Sequence, residues 1–267
     1  MLLTNENYYS QEANREYLSV SQYKDFMGTY GKVGCEEYAL AKLDGTWVEN
    51  MEDSDALMVG SYVDAHFEGT LDLFKAQHSC MFKKDGSIMA KYIKANEMIN
   101  RCERDPLFMQ YMSGEKQVIM TADLFGAKWK IKIDSYHPGK CIVDLKTCQS
   151  ITKEFYHPDS GHLNFLAEWG YYIQGAVYQK VVEINTGEKL PFFIAAVSKE
   201  KVPDIQVIAV EQSLLDEALA DVEHNVPNIL ALKNGDLEPM RCEHCDYCKH
   251  TRILQHPIWS SELIGEV

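Results

Sequence analysis

The chain has 267 residues, 46% of them hydrophobic and 25% charged, the balance of a globular protein with a core of its own. Its formal net charge of −14 argues against a protein that simply coats nucleic acid, because phosphate binding needs a basic face. No apolar run is long enough to cross a bilayer, and Met1 to Glu6 lacks the basic-then-apolar plan of a signal peptide, so a cytoplasmic protein with no membrane partner is expected. From the N-terminus, Ser19 and Ser21 predict the cap of a helix running through Tyr23 and Phe26. Residues 54 to about 76 predict one long helix, with Val63, Phe67, Leu71 and Phe74 on a single apolar stripe. Two more helices are predicted around 88–102 and 105–112. Lys128 to Asp134 then alternates lysine with apolar side chains, a strand period. Residues 136–140 read as a turn and Cys141 to Leu145 as a short apolar strand, so the two strands are expected to pair as a hairpin. Residues 163–183 predict a helix, 191–198 and 204–210 strands, and 211–233 a helix. This order suggests an α/β fold: a mixed central sheet flanked by helices, with a helical N-terminal elaboration.

Chemistry gathers at the end of that hairpin. Asp144 and Lys146, two apart on a strand, share a face. Asp134 ends the neighbouring strand, so pairing can bring it beside Asp144. Carboxylates are hard oxygen ligands suited to Mg²⁺ or Mn²⁺, and the Leu145 carbonyl can add another oxygen. Lys146 can orient water or stabilise charge on a phosphate. The plainer reading, solvated charges at a hairpin tip, holds for most isolated Asp-x-Lys tripeptides. The apolar strand before it, the aspartate ten residues upstream and the helix after it weigh the other way. Lys128, Lys130 and Lys132 read best as a solvated strand face, with a phosphate track as the alternative.

Asp134 followed by Ile142-Val143-Asp144-Leu145-Lys146-Thr147 resembles the core of PD-(D/E)XK nucleases, the group of RecB-type nucleases, lambda exonuclease and exonuclease VIII. Gly60 to His66 resembles that group's upstream Gly…His helix, which implies His66 as a metal ligand. Gln174-Gly175-Ala176-Val177-Tyr178 resembles its downstream Gln-x-x-x-Tyr helix, which implies Gln174 and Tyr178 near DNA or the lysine. Glu115 stands where many members carry a glutamate before the first core strand. The resemblance runs from about Ser19 to Cys248 and implies a restriction-endonuclease-like core in a single nuclease domain, 1–267. It further implies a metal-dependent exonuclease that degrades one strand of linear duplex DNA from its end. No ATP is implied, and no P-loop is present. Such enzymes often work with a single-strand annealing protein and often form ring-shaped homo-oligomers. An endonuclease or a CRISPR-type end trimmer on the same core, or a metal-stapled binding protein that is no enzyme, are the alternatives.

Of eight cysteines, Cys242, Cys245 and Cys248 stand at Cys-x-x-Cys-x-x-Cys, a spacing that aims thiols at one metal. A fourth ligand must come from elsewhere: Cys35, His244 and His250 are the choices. The segment from Ser19 to Tyr38 resembles the N-terminal helix and cysteine of iron–sulfur nucleases such as AddB. That resemblance implies Cys35 as fourth ligand and a structural [4Fe-4S] cluster joining the helical segment at about 19–45 to the cysteine segment at about 241–252. The spacing here is tighter before the last cysteine than in that group. Zn²⁺ is the alternative, and metal-free thiols the third reading.

Overall fold

The computed structural model describes residues 1–49 and 54–260. The N-terminal layer comprises α1 (Gln11–Glu16), α2 (Val20–Met27), a ribbon of β1 (Gly28–Thr29) and β2 (Lys32–Val33), and α3 (Glu36–Asp44). Ser19, rather than Ser21, is the α2 cap, its hydroxyl accepting from the Gln22 N–H. A helical layer follows: α4 (Asp55–Glu68), α5 (Leu71–Gln77), α6 (Ile93–Glu103) and α7 (Pro106–Tyr111). The single helix expected over 54–76 is thus two. Gly69, at φ +78°, ends α4 with a left-handed cap that closes onto the Ala65 and His66 carbonyls.

The hairpin of β3 (Val118–Leu124) and β4 (Ala127–Ile133) leads into β5 (Ser135–His137) and β6 (Cys141–Cys148). A small ribbon, β7 (Phe155–His157) with β8 (Gly161–Leu163), precedes α8 (Phe165–Glu168) and α9 (Tyr171–Thr186). The chain continues through β9 (Phe192–Ser198), β10 (Ile205–Ala209), α10 (Gln212–Asn234) and α11 (Asp246–Thr251). The central sheet has the order β10-β9-β6-β5, with β6 parallel to β9 and the other pairs antiparallel. A parallel pair needs a crossover, and α8 and α9 provide it.

Both faces of the sheet are covered, as a parallel centre demands. Ile142, Ile194 and Ala196 pack with Val177 and Val181 of α9 and Val222 of α10. Val143, Leu145, Ala195 and Val197 pack on the other side with Met58 and Val63 of α4, Met98 of α6 and Phe108 of α7. The near-continuous apolar run of β6 and β9 follows from this double burial.

The hairpin expected between 128–134 and 141–145 differs in detail. β4 pairs along its whole length with β3, a strand the sequence reading did not foresee. Only β5 pairs with β6, around a turn at 138–140. Asp134 is the bend at which the chain changes partners. The lysine face of β4 is also not a solvated face throughout. Lys128 is exposed and pairs with Glu16, but Lys130 is 1% exposed and donates to Tyr8 O and Asn14 Oδ1. The first turns of the chain lie over that face, which composition alone could not reveal.

Candidate active site

Helices α2, α4 and α9 and strands β4 and β6 converge on a cleft of about 360 Å³ lined by Asp64, Glu68, Gln117, Asp134, Asp144 and Lys146, among others. Asp134 belongs there because it follows the last β4 residue and faces β6 one position beyond the β5 ladder. Its Oδ2 accepts from the Leu145 N–H at 2.9 Å and its Oδ1 from Gln117 Nε2 at 3.2 Å. The carboxylate therefore does for β6 what the next strand residue would have done. Asp144 and Lys146 share a strand face as expected and form an ion pair. Asp144 is 2% exposed, and its Oδ2 faces the Lys146 ammonium.

Two close approaches set the walls. α9 lies against β9 and α10 at Gly175, where a methyl would stand 2.6 Å from Phe192 Cδ1 and 2.7 Å from Leu215 Cδ2. That approach puts the neighbouring Gln174 over Asp144, and its Nε2 donates to Asp144 Oδ1 at 2.7 Å. α4 crosses the end of β6 at Gly60, where a methyl would stand 2.9 Å from Thr147 Oγ1. One turn further on, Asp64 faces the cleft, and Glu68 follows it on the same helix face. Tyr178, one turn after Gln174, is buried and donates to the Lys132 carbonyl at 3.1 Å, tying α9 to β4. Lys146 Nζ also sits 5.1 Å from the Tyr171 ring centre.

The electrostatics are those of a crowded acidic site. Burial, followed by the neighbouring negative charge of Asp134, pushes Asp64 well above the carboxylate range. Burial likewise raises Asp144 to about 7, against the pull of Lys146. Glu68 is raised by burial too. Burial works to lower the Lys146 pKa, but Asp144 outweighs it and holds the ammonium above its usual value. Lys24 of α2 lines the same cleft and donates to Trp169 O; burial and then Lys146 bring it down to about 8. The ligand set is all oxygen, and four acids face one space. These are properties that fit a hard divalent cation.

The sequence-predicted residues divide accordingly. Asp134, Asp144, Leu145, Lys146, Gln174 and Tyr178 line the cleft together. His66 does not line it. Two residues past Asp64 is about 200° around a helix, and there His66 Nε2 meets Glu103 of α6 at 2.9 Å. The acid facing the cleft from this helix is Asp64, which the sequence reading passed over. Gly60, Asp64 and Glu68 at spacings of four were the signal. Glu115 also stands outside. Its side chain is exposed, and its backbone bridges Tyr136. Gln117, two residues on and also missed, is the neighbour that reaches Asp134.

The cysteine segments meet outside this cleft, none of the four thiols being among its lining residues. Cys35, Cys242, Cys245 and Cys248 bring four Sγ atoms within 4.8 Å of one another, with Cys35–Cys248 at 3.6 Å and Cys242–Cys248 at 3.9 Å. Among the described residues this is the only group of three or more His, Cys, Asp or Glu ligand atoms so close. The fourth member is Cys35. His244 is exposed, and His250 packs beside Trp47. Backbone N–H groups of His244 and Cys245 donate to Cys242 Sγ, and that of Cys248 to Cys245 Sγ. Burial opposes ionisation of Cys242, yet those donors win and bring its thiol to about 7. Around the thiols, Arg241 pairs with Glu37 at 2.6 Å and donates to Cys248 O, while the Met240 N–H donates to Glu36. These contacts join the helical segment of the N-terminus to the cysteine segment.

Among the described residues, no helix is long and apolar enough to cross a membrane. No curated protein matches the chain. A crystal structure at 2.19 Å resolution of a protein from Eubacterium rectale, described as a candidate exonuclease, superposes with a TM-score of 0.96. It is 57% identical, over 100% of both chains. A family model described as a PDDEXK-like domain of unknown function (DUF3799) matches residues 19–251, which takes in α2, the whole sheet and all four clustered cysteines. The chain therefore belongs to this family of PDDEXK-like domains, with the PD-(D/E)XK fold that the sheet and its cleft display.

Proposed function

We propose that the protein is a divalent-metal-dependent DNA nuclease that removes nucleotides from the ends of linear duplexes without ATP. The observation that carries this reading is the joint presentation of Asp134, Asp144 and Lys146 in one recess, with Gln174 holding Asp144. Asp64, Asp134 and Asp144, with the Leu145 carbonyl, are the groups that would hold Mg²⁺ or Mn²⁺. Such an ion polarises a phosphodiester and supplies hydroxide near neutral pH.

The protein's own groups do the rest. Asp144 and the Tyr171 ring direct the Lys146 ammonium into the cleft, where it stabilises charge growing on the phosphate. Gln174 and Tyr178 are positioning residues: one fixes the Asp144 carboxylate, the other locks α9 to β4. Lys24 and Lys132 line the same cleft and give it local cationic character, despite a net charge of −14. The cleft is a recess walled by α2, α4 and the Tyr8–Tyr9 segment. That shape favours attack at a frayed end over attack within a helix. The likeness to a protein described as a candidate exonuclease supports the same choice. A recombination role beside a single-strand annealing protein, and a ring-shaped homo-oligomer, rest on the resemblance to exonuclease VIII.

The test is degradation of linear and covalently closed duplex DNA with Mg²⁺ or Mn²⁺. We expect linear DNA to be consumed and the circle spared. Asp144→Asn and Lys146→Ala should each lose at least about 100-fold in rate with unchanged circular dichroism. Wild-type rates in both variants would remove the assignment. Equal attack on circle and linear DNA would favour an endonuclease.

A further inference from the structure

The four-cysteine clasp and the [4Fe-4S] cluster implied by iron–sulfur nucleases do not match in size. In a cubane each thiolate binds a different iron, so the four sulfurs stand a whole cluster apart, roughly 6 Å or more. Here all four Sγ atoms lie within 4.8 Å of one another. A single tetrahedral ion with metal–sulfur bonds of about 2.3 Å requires sulfur–sulfur edges of about 3.8 Å. Cys35–Cys248 and Cys242–Cys248 stand at 3.6 and 3.9 Å. There is no space between the thiols for four irons and four sulfides.

We infer that Cys35, Cys242, Cys245 and Cys248 form a closed site for one tetrahedral ion of the Zn²⁺ class, whose role is structural. Three further observations agree. Cys35 and Cys248 are 2% and 0% exposed, Cys242 and Cys245 are half-buried, and the chain itself supplies all four ligands, as a closed structural site requires. Two N–H donors converge on Cys242 Sγ and one on Cys245 Sγ, which orients thiolates and offsets their charge. The surrounding shell is itself tied down. The Cys35 N–H donates to Asp25 O, Asp25 takes Lys32 and Lys42 on its two oxygens, and Trp47 packs edge-on against Tyr247.

The clasp fixes more than the ends of the chain. Asp25, which anchors Cys35, follows directly on Lys24, and Lys24 with Ser19 and Ser21 forms one wall of the acidic cleft. The ion thus holds that wall in place from a distance.

The test is purification of the full chain, without oxygen, from cells supplied with both iron and zinc. Metal content, acid-labile sulfide and the visible spectrum are then measured. The expected result is one zinc per chain, no sulfide and a colourless protein. Replacement by Co²⁺ should give the intense ligand-field bands of a tetrahedral thiolate site, and X-ray absorption should show sulfur neighbours with no second metal. Cys35→Ser should lower ion retention at least tenfold. Should that variant fail to fold, the stoichiometry and spectra of the unaltered protein decide alone. A brown protein with iron and sulfide in equal amounts would overturn the inference. So would a chain that binds neither metal and melts identically with and without a chelator. These readouts do not involve nuclease activity, so they stand or fall separately from the reading of the cleft.

Discussion

The cleft and the clasp are both clusters of metal-ligating side chains, but they are built in opposite ways. In the cleft, four carboxylates crowd one space, and burial pushes Asp64 and Asp144 up towards neutrality. Nothing in the fold gains from that crowding; it costs stability in return for a place where a cation and a phosphate can sit. In the clasp, every contact converges. Backbone donors, the Arg241–Glu37 pair and the Trp47–Tyr247 edge all hold the thiols in one arrangement. A strained cluster of acids beside a lysine marks chemistry, whereas a relaxed, enclosed cluster of thiols marks architecture.

This contrast can be broken by substitution. Asp64→Asn should lower the nuclease rate by about 100-fold while raising the melting temperature, because it removes an acid that burial and Asp134 make costly to ionise. His66→Ala should leave the rate within about threefold, since His66 faces Glu103 and not the cleft. Reversal of that ranking in a linear-DNA assay would restore His66 as a ligand. Cys248→Ser, or chelation of the wild type, should do the opposite of Asp64→Asn and cost on the order of 10 °C in melting temperature, since metal ligation adds directly to folding. A calorimetric scan showing no change would put the clasp on the same footing as an ordinary surface cluster.

Gln174→Ala should reduce kcat about tenfold with little change in KM, as expected of a residue that only fixes Asp144. A change confined to KM would instead place Gln174 on the substrate. The smallest effect concerns Lys130, which burial brings down to about 8. A lysine whose folded pKa lies below its unfolded one, ordinarily about 10.4, leaves the unfolded chain holding more protons between those values. Stability should therefore rise with pH from about 8 towards 10. Lys130→Met should flatten that rise, read as a melting-temperature difference of about 2 °C between pH 7.5 and 9.5.

Much of this was legible from residue order. The period-two alternation of β4, the apolar run of β6 and the Asp-x-Lys face relation rest on local geometry, and the structure preserves them. Gln174 and Tyr178 share a helix face because they are four apart, and both reach the cleft. What was not legible depended on contacts distant in sequence. Nothing near β4 announces β3 as its partner, or announces that Tyr8 and Asn14 would cover Lys130. The His66 expectation came from motif position and ignored helix phase, which places Asp64 and not His66 over β6. Cys35 was joined to the late cysteines only through resemblance. Its physical ground is the 3.6 Å approach to Cys248 across 213 positions.

That long-range approach has a consequence for how the molecule responds to damage. With an ion bound at the clasp, the polypeptide is a closed circuit from Cys35 to Cys248. Closing so long a circuit is hardly dearer than closing one of half the length, a difference of about 0.6 kcal/mol. A single proteolytic nick in an exposed loop inside it, such as the segment between β6 and β7, would leave two fragments that still travel as one particle. The β6–β9 ladder and the α9 and α10 packing span the same break, so the fragments would part only when the metal is stripped and the sheet is also unfolded.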